Sequence, residues 1–267
     1  MSEHAIRTGA VTTFFRLDGP SRAPVLMMAH AMGTSHRIWD GQARRLARRF
    51  RVLRYDWRGH GATSVPPGPY ALAELVADAK ALLDVLRVQR VHWVGLSTGG
   101  VIGQGLALAF PDRIASLALC NSMARSGQWY AEWASERHRV ARSEGMSAIW
   151  ELTDRLWFTD TFVDACPRSY ESVRDVFVRT SVPGYISATS AVVDLDYEQF
   201  LHRIRAPTLV LGAGDDAVTP PDTVRVIAER IPGARLEILP GLRHFSNVEA
   251  PEQFNSVLEP FLDEVVA

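Results

Sequence analysis

Ser97 stands between Gly95 and Gly99 in the stretch Val91 to Gly105, VHWVGLSTGGVIGQG. A serine hydroxyl is a poor nucleophile near neutral pH; it needs a base, and the base needs a group that orients it. The flanks of Ser97 suit such a role. Val91 to Val94 is a short apolar run that reads as a buried strand, and Val101, Ile102, Leu106, Leu108 and Ala109 recur at helical spacing after it. In a sharp strand-to-helix turn the serine backbone is strained, and side chains at the flanking glycine positions would collide with neighbouring segments. In return the hydroxyl stands clear at a helix N-terminus, where the dipole and a free amide favour developing negative charge. A serine in an ordinary glycine turn gives the same five residues, so the partners decide.

Two later loops offer them. The apolar run Leu209-Val210-Leu211 ends in Gly212-Ala213-Gly214-Asp215-Asp216, and a carboxylate at the C-terminal end of a parallel strand lies on the edge where α/β sheets place their chemistry. Gly241-Leu242-Arg243-His244-Phe245 follows the next strand and brings a histidine to the same edge. Ser97, then an aspartate, then His244 is a nucleophile–acid–base order known for strand-end triads. Either aspartate could instead cap its own turn, and His244 is one of eight histidines. Three suitable residue types at three strand ends, in one order, favour catalysis. An oxyanion needs two amides. Thr98, after the nucleophile, is one candidate, and Met32, in the loop His30-Ala31-Met32-Gly33-Thr34 after an earlier strand, is the other. His30 and Gly33 are expected only to shape that loop.

Elements to hold these loops follow from the pattern. Val11 to Leu17 reads as an outer strand, Val25 to Ala29 and Arg51 to Tyr55 as strands around a helix from Ile38 to Phe50, and Leu72 to Leu86 as an amphipathic helix. Ile114 to Cys120 is a further strand. Alternating strands and helices imply βαβ units and a doubly wound, mostly parallel sheet. From Ser122 to Arg205 the alternation stops and the pattern is helical, with four of the seven tryptophans: Trp129, Trp133, Trp150 and Trp157. The α/β pattern then resumes and closes with a helix from Glu252 to Val265. The expected organisation is a core of residues 1–121 and 206–267 interrupted by a helical cap at 122–205.

Composition bounds the function. The 267 residues are 47% hydrophobic, enough for a sizeable core. A net charge of −1 gives no reason to expect nucleic acid or an acidic membrane as partner. Lys80 is the one lysine among 29 basic residues, which fits coding bias better than phosphate recognition, and Arg44, Arg45, Arg48 and Arg49 read as a solvated helix face. Cys120 and Cys166 have no metal-like spacing and are too few for a disulfide framework. MSEHAIRTGA is not expected to be a signal peptide, and no apolar run approaches the roughly 20 residues that span a bilayer. A cytoplasmic enzyme acting on a small molecule, with no metal or cofactor, is the expectation; the oligomeric state stays open.

HAMGTSHRIWD (30–40), RYDWRGHGATSVPPGPY (54–70), GLSTGGVIGQG (95–105) and HFSNVEA (244–250) resemble the 3-oxoadipate enol-lactonases of the α/β-hydrolase superfamily, over nearly the whole chain. The likeness extends to Leu119-Cys120-Asn121-Ser122 and Trp157-Phe158-Thr159. It implies an α/β-hydrolase fold, a serine hydrolase opening a lactone in the β-ketoadipate pathway of aromatic catabolism, and Ser97, Asp215 and His244 as nucleophile, acid and base. Asp215 is preferred to Asp216 because the family pattern reads Gly-x-x-Asp, although the residues after Asp216 also fit the superfamily. Asn121 stands where some relatives carry an earlier acid. Thr98 and Ala31 depart from the common Met and Gly, and the cap tryptophans point to a pocket of its own shape. An esterase, a carbon–carbon bond hydrolase or a perhydrolase on the same frame, and a binding protein without turnover, are the other readings.

The resemblance also implies a substrate with a free carboxylate, which needs a cation inside an apolar pocket. Arg125, where the chain enters the cap, is the expected partner, and Trp157 is the other expected substrate-binding residue. Arg58, in Arg58-Gly59-His60-Gly61, suits a structural role.

Overall fold

The computed structural model describes residues 2–266. An antiparallel hairpin, β1 (Ser2–Thr8) and β2 (Val11–Asp18), opens the chain. Then come β3 (Val25–Ala29), α1 (Asp40–Leu46), β4 (Arg51–Tyr55), α2 (Leu72–Val85), β5 (Val91–Leu96), α3 (Thr98–Ala109) and β6 (Ile114–Cys120). Five helices follow without a strand of the sheet: α4 (Gln128–Glu151), α5 (Asp154–Trp157), α6 (Asp160–Ala165), α7 (Arg168–Val178) and α8 (Val182–Val192). The chain ends with β7 (Thr208–Ala213), α9 (Pro221–Arg230), β8 (Arg235–Leu239), α10 (Ser246–Glu249) and α11 (Pro251–Val266).

The eight strands form one sheet in the order β1-β2-β4-β3-β5-β6-β7-β8. The β1–β2 and β2–β4 pairs are antiparallel and the rest parallel. From β3 the chain steps one way to β4, then crosses back to β5 and runs the other way to β8. Right-handed crossovers in the two directions put helices on both faces, and accordingly α1 packs with α11 while α2 packs with α3. The order reverses between β3 and β5, and crevices at such switch points are where α/β sheets bind ligands. Strands β5 and β7 are buried along their whole length, as a sheet covered on both faces requires.

The outermost strand differs from the expectation. Val11 to Leu17 lies second, and β1 covers it. Glu3, His4, Ala5 and Arg7 are exposed, so β1 lacks the apolar alternation that marks a strand in sequence; its backbone pairing with β2 holds it. The helix expected from Ile38 to Phe50 is shorter, a 3-10 turn at His36–Trp39 leading into α1.

The helices of residues 128–192 sit over the strand ends that carry Ser97 and His244. Their own centre is aromatic: Trp150 packs against Trp157, Tyr170 and Phe177. An isolated bridge between Arg125 and Asp196 ties the two ends of the segment together.

Candidate active site

Ser97 closes β5 with φ 54° and ψ −117°, a backbone conformation that residues other than glycine rarely adopt. Tight packing around the turn enforces it. A Cβ on Gly95 would run into the Gly99 carbonyl, one on Gly99 into the Ala29 carbonyl, and one on Gly100 into the Ser122 side chain. The turn is further fixed by Ser97 N–H donating to the Cys120 carbonyl at 2.8 Å and by Ser122 Oγ donating to the Ser97 carbonyl at 2.9 Å. Among the described residues Ser97 Oγ makes no hydrogen bond. It and His244 open into one cavity.

His244 is buried, and its Nδ1 meets Asp216 Oδ2 at 2.8 Å. Here the structure corrects the sequence reading: the carboxylate that meets the imidazole is Asp216, not Asp215. β7 ends at Ala213 and the chain turns, with Asp215 N–H donating to the Leu242 carbonyl and its side chain exposed. One residue later the side chain points inward. Asp216 accepts from Asn121 Nδ2 (2.9 Å), Thr219 Oγ1 (2.7 Å) and the amides of Val218 (2.8 Å) and Thr219 (3.0 Å). Burial raises the pKa of Asp216, but the neighbouring His244 charge and the hydrogen bonds from His244, Asn121 and Thr219 more than offset it and hold the carboxyl below its ordinary value. Asp216 is therefore a fixed negative charge behind His244. With Nδ1 donating to it, Nε2 is left free to take a proton from the cavity side.

The loop after β3 brings Met32 to the same cavity, and Thr98 lies at the first position of α3, where the amide has no intrahelical partner. Behind this loop is a buried histidine cluster. His60 Nε2 accepts the Gly33 N–H at 2.9 Å, so His60 is neutral on that nitrogen. His30 stacks on Trp57 at 5.0 Å, its Nδ1 donates to the Ala31 carbonyl and its Nε2 accepts from Trp57 N–H. Burial, outweighing Asp56, lowers the pKa of His30 to about 4. Both rings thus hold the loop as neutral hydrogen-bonders.

The cavity measures about 210 Å³, below the roughly 300–1,000 Å³ typical of drug-sized ligand sites, so it suits a small molecule. Trp129, Trp133 and Trp157 line it; Trp150 packs among the cap aromatics instead. Trp157 also stacks on Phe245 at 4.2 Å, and Phe245 N–H donates to its carbonyl, so the cap is pinned to the loop that carries His244. Thr180 of the cap donates to the Gly33 carbonyl at 3.0 Å, which ties the cap to the loop after β3 as well.

Arg125 does not reach this cavity. It is exposed, and its backbone pairs with Asp196 at the base of the cap. The arginine that lines the cavity is Arg137 of α4, buried at 5% exposure. Arg58 pairs with Asp78 and Glu74 and lies over Tyr70, a bracing position.

Residues 24–251 match the model of the alpha/beta hydrolase fold family. This chain belongs to that family. The chain is 34% identical over 241 residues to 3-oxoadipate enol-lactonase 2 of Acinetobacter baylyi, covering 90% of this chain and 89% of the relative. Among solved structures, the enol-lactonase of Burkholderia xenovorans LB400 superposes with a TM-score of 0.94 at 35% identity, over 97% of this chain and 100% of that one. A hydrolase of Pseudomonas aeruginosa PA01 superposes with a TM-score of 0.93 at 40% identity, over 97% and 98%.

Within this α/β hydrolase, three side chains have positions that the sequence pattern does not assign. Asn121, in the left-handed region at φ 46°, orients Asp216 across two strand ends. His60, in Arg58-Gly59-His60-Gly61, accepts the Gly33 N–H and so holds the loop of Met32. Arg137 sits in a helix with little amphipathic contrast, and only the cap's packing shows it turned inward.

Proposed function

We propose that the protein is a serine hydrolase that opens a small carboxylic ester or lactone through an acyl-enzyme. The observation that carries this is His244, backed by Asp216, facing the same small cavity as a serine in a strained strand-to-helix turn. Ser97 Oγ attacks the carbonyl as its proton passes to His244 Nε2; Asp216 stabilises the imidazolium that forms. Amides of Met32 and Thr98 receive the oxyanion. Collapse breaks the acyl–oxygen bond, and His244 returns the proton to the departing oxygen. In a lactone that oxygen stays tethered to the acyl group. Water, deprotonated by His244, then attacks the acyl-enzyme, and Ser97 leaves with the returned proton. The contact between Ser97 and His244 forms as the substrate seats, since catalytic hydrogen bonds commonly tighten only in the complex.

The substrate we propose is 3-oxoadipate enol-lactone. Similarity to an enol-lactonase over nine-tenths of both chains supports it, as does a cavity of small-metabolite size. Its leaving group is an enolate, which gains a proton at oxygen and relaxes to the ketone. The test sets the enol-lactone against neutral p-nitrophenyl esters and records kcat/KM for each. A preference of at least about 100-fold for the lactone supports the assignment; an ester preference leaves a general esterase.

A further inference from the structure

Three arginines are buried among the described residues: Arg54, Arg58 and Arg137. Arg54 is paired with Asp18 and Asp40, and Arg58 with Glu74 and Asp78. Arg137 has no carboxylate partner among the described residues. Its Nη1 donates to Thr153 Oγ1 at 2.6 Å and its Nη2 to the Leu152 carbonyl at 3.0 Å, both neutral acceptors. The guanidinium lies over the Trp133 ring at 4.5 Å, beside the Tyr185 hydroxyl. Arg137, Thr153, Trp133 and Tyr185 all line the cavity that holds Ser97.

A buried cation without a counter-charge is costly, and an arginine stays charged under all ordinary conditions. The other two buried arginines show how this chain meets that cost when the charge is only structural. At Arg137 no compensating carboxylate is present among the described residues, and the guanidinium lines the substrate cavity. We infer that Arg137 is the carboxylate-binding residue of the substrate pocket, so that the natural substrate is a small ester or lactone carrying a free carboxylate on the part that lies beneath α4. The two neutral acceptors hold the planar fork in place and Trp133 supports its face, so the donors left over are oriented before the ligand arrives. Selectivity follows from the same arrangement. A neutral substrate leaves the cation uncompensated and strips it of water, while a monoanion neutralises it.

The inference rests on the hydrolase reading for its meaning, but binding tests it separately. Ser97→Ala protein is titrated calorimetrically with monomethyl glutarate and with dimethyl glutarate, and the titrations are repeated in Ser97→Ala/Arg137→Met and Ser97→Ala/Arg137→Lys. The monoanion is expected to bind at least about 10-fold more tightly than the diester, and Arg137→Met to weaken it by about 10- to 100-fold, the usual range for a hydrogen bond to a charged group. Arg137→Lys, which keeps the charge and loses the fork, should recover part of that affinity. In the parent enzyme, the ratio of kcat/KM for anionic over neutral esters should fall by a similar factor in Arg137→Met. Equal affinity for the monoanion and the diester in Ser97→Ala protein would overturn the inference even if Arg137→Met failed to fold, as would a monoanion affinity that the substitution leaves in place. If the monoanion binds as expected but no ester or lactone is turned over, the hydrolase reading fails and the anion site stands.

Discussion

Of two adjacent aspartates, Asp215 is exposed on a turn and Asp216 is enclosed against His244. Asp216 accepts five hydrogen bonds, from His244, Asn121, Thr219 and the amides of Val218 and Thr219. Asp215 lies on the outside of the same turn. Asp216→Asn should therefore lower kcat by about 10³- to 10⁴-fold, because an amide there no longer holds the productive tautomer of His244. Asp215→Asn should change kcat by less than about twofold, within the range of surface substitutions. Side-by-side steady-state assays decide between them; a large loss in Asp215→Asn alone would restore the sequence-based assignment. Sequence could not separate the pair because both follow the same strand end, and a one-residue difference in where the turn closes reverses which side chain points in. Ser97 and His244 were legible because their loops carry a steric requirement for glycine or a single histidine. Arg137 was not, since a cap helix advertises no register against the core.

At the scale of elements, the turns after β3 and β5 bring Met32, Ser97 and Thr98 to the cavity that His244 enters from the loop after β8. The glycines around Ser97 are contact points between backbones, and Gly99 presses on the Ala29 carbonyl of β3. Gly99→Ala should destabilise the protein by about 1–3 kcal/mol, the ordinary cost of overpacking, read by guanidinium unfolding at pH 7. An unchanged midpoint would mean that the turn has slack that the packing does not show. The loop after β3, where the proposal places one oxyanion amide, depends instead on His60. His60→Phe removes the acceptor for the Gly33 N–H, next to Met32, and should cut kcat by up to about 100-fold through a misplaced amide, with KM changed far less. A loss confined to KM would assign His60 to ligand binding. The strand–helix alternation made this core readable from β2 onward. Strand β1 escaped because a polar edge strand has no burial pattern to read. The cap showed as helical, but its placement rests on tertiary contacts such as Trp157 on Phe245.

At the scale of the molecule, the buried histidines His30 and His60 behind the loop after β3 make stability depend on pH. His30 is held at about 4 in the fold against 6.5 for an ordinary histidine, chiefly by burial. The unfolded chain therefore takes up a proton first as the pH falls, and the stability His30 contributes is complete above about 6.5 and is lost between there and about 4. At pH 5 the loss from His30 is about 2 kcal/mol, and His60, also pushed down by burial, adds to it. Chemical denaturation at pH 7 and pH 5 should show it, and His30→Gln should flatten the difference; an identical slope in that variant would place the pH dependence elsewhere.

The proposed mechanism requires the substrate to acylate Ser97 while His244, oriented by Asp216, takes the serine proton. Rapid quenching of the enzyme with p-nitrophenyl acetate, followed by intact-mass and peptide analysis, tests this most directly. One acetyl group should appear on the peptide containing Ser97 within the first turnover, be absent from Ser97→Ala, and accumulate far more slowly in Asp216→Asn. Turnover at the parental rate in Ser97→Ala, or acetylation on any other residue with Ser97 unmodified, would contradict it.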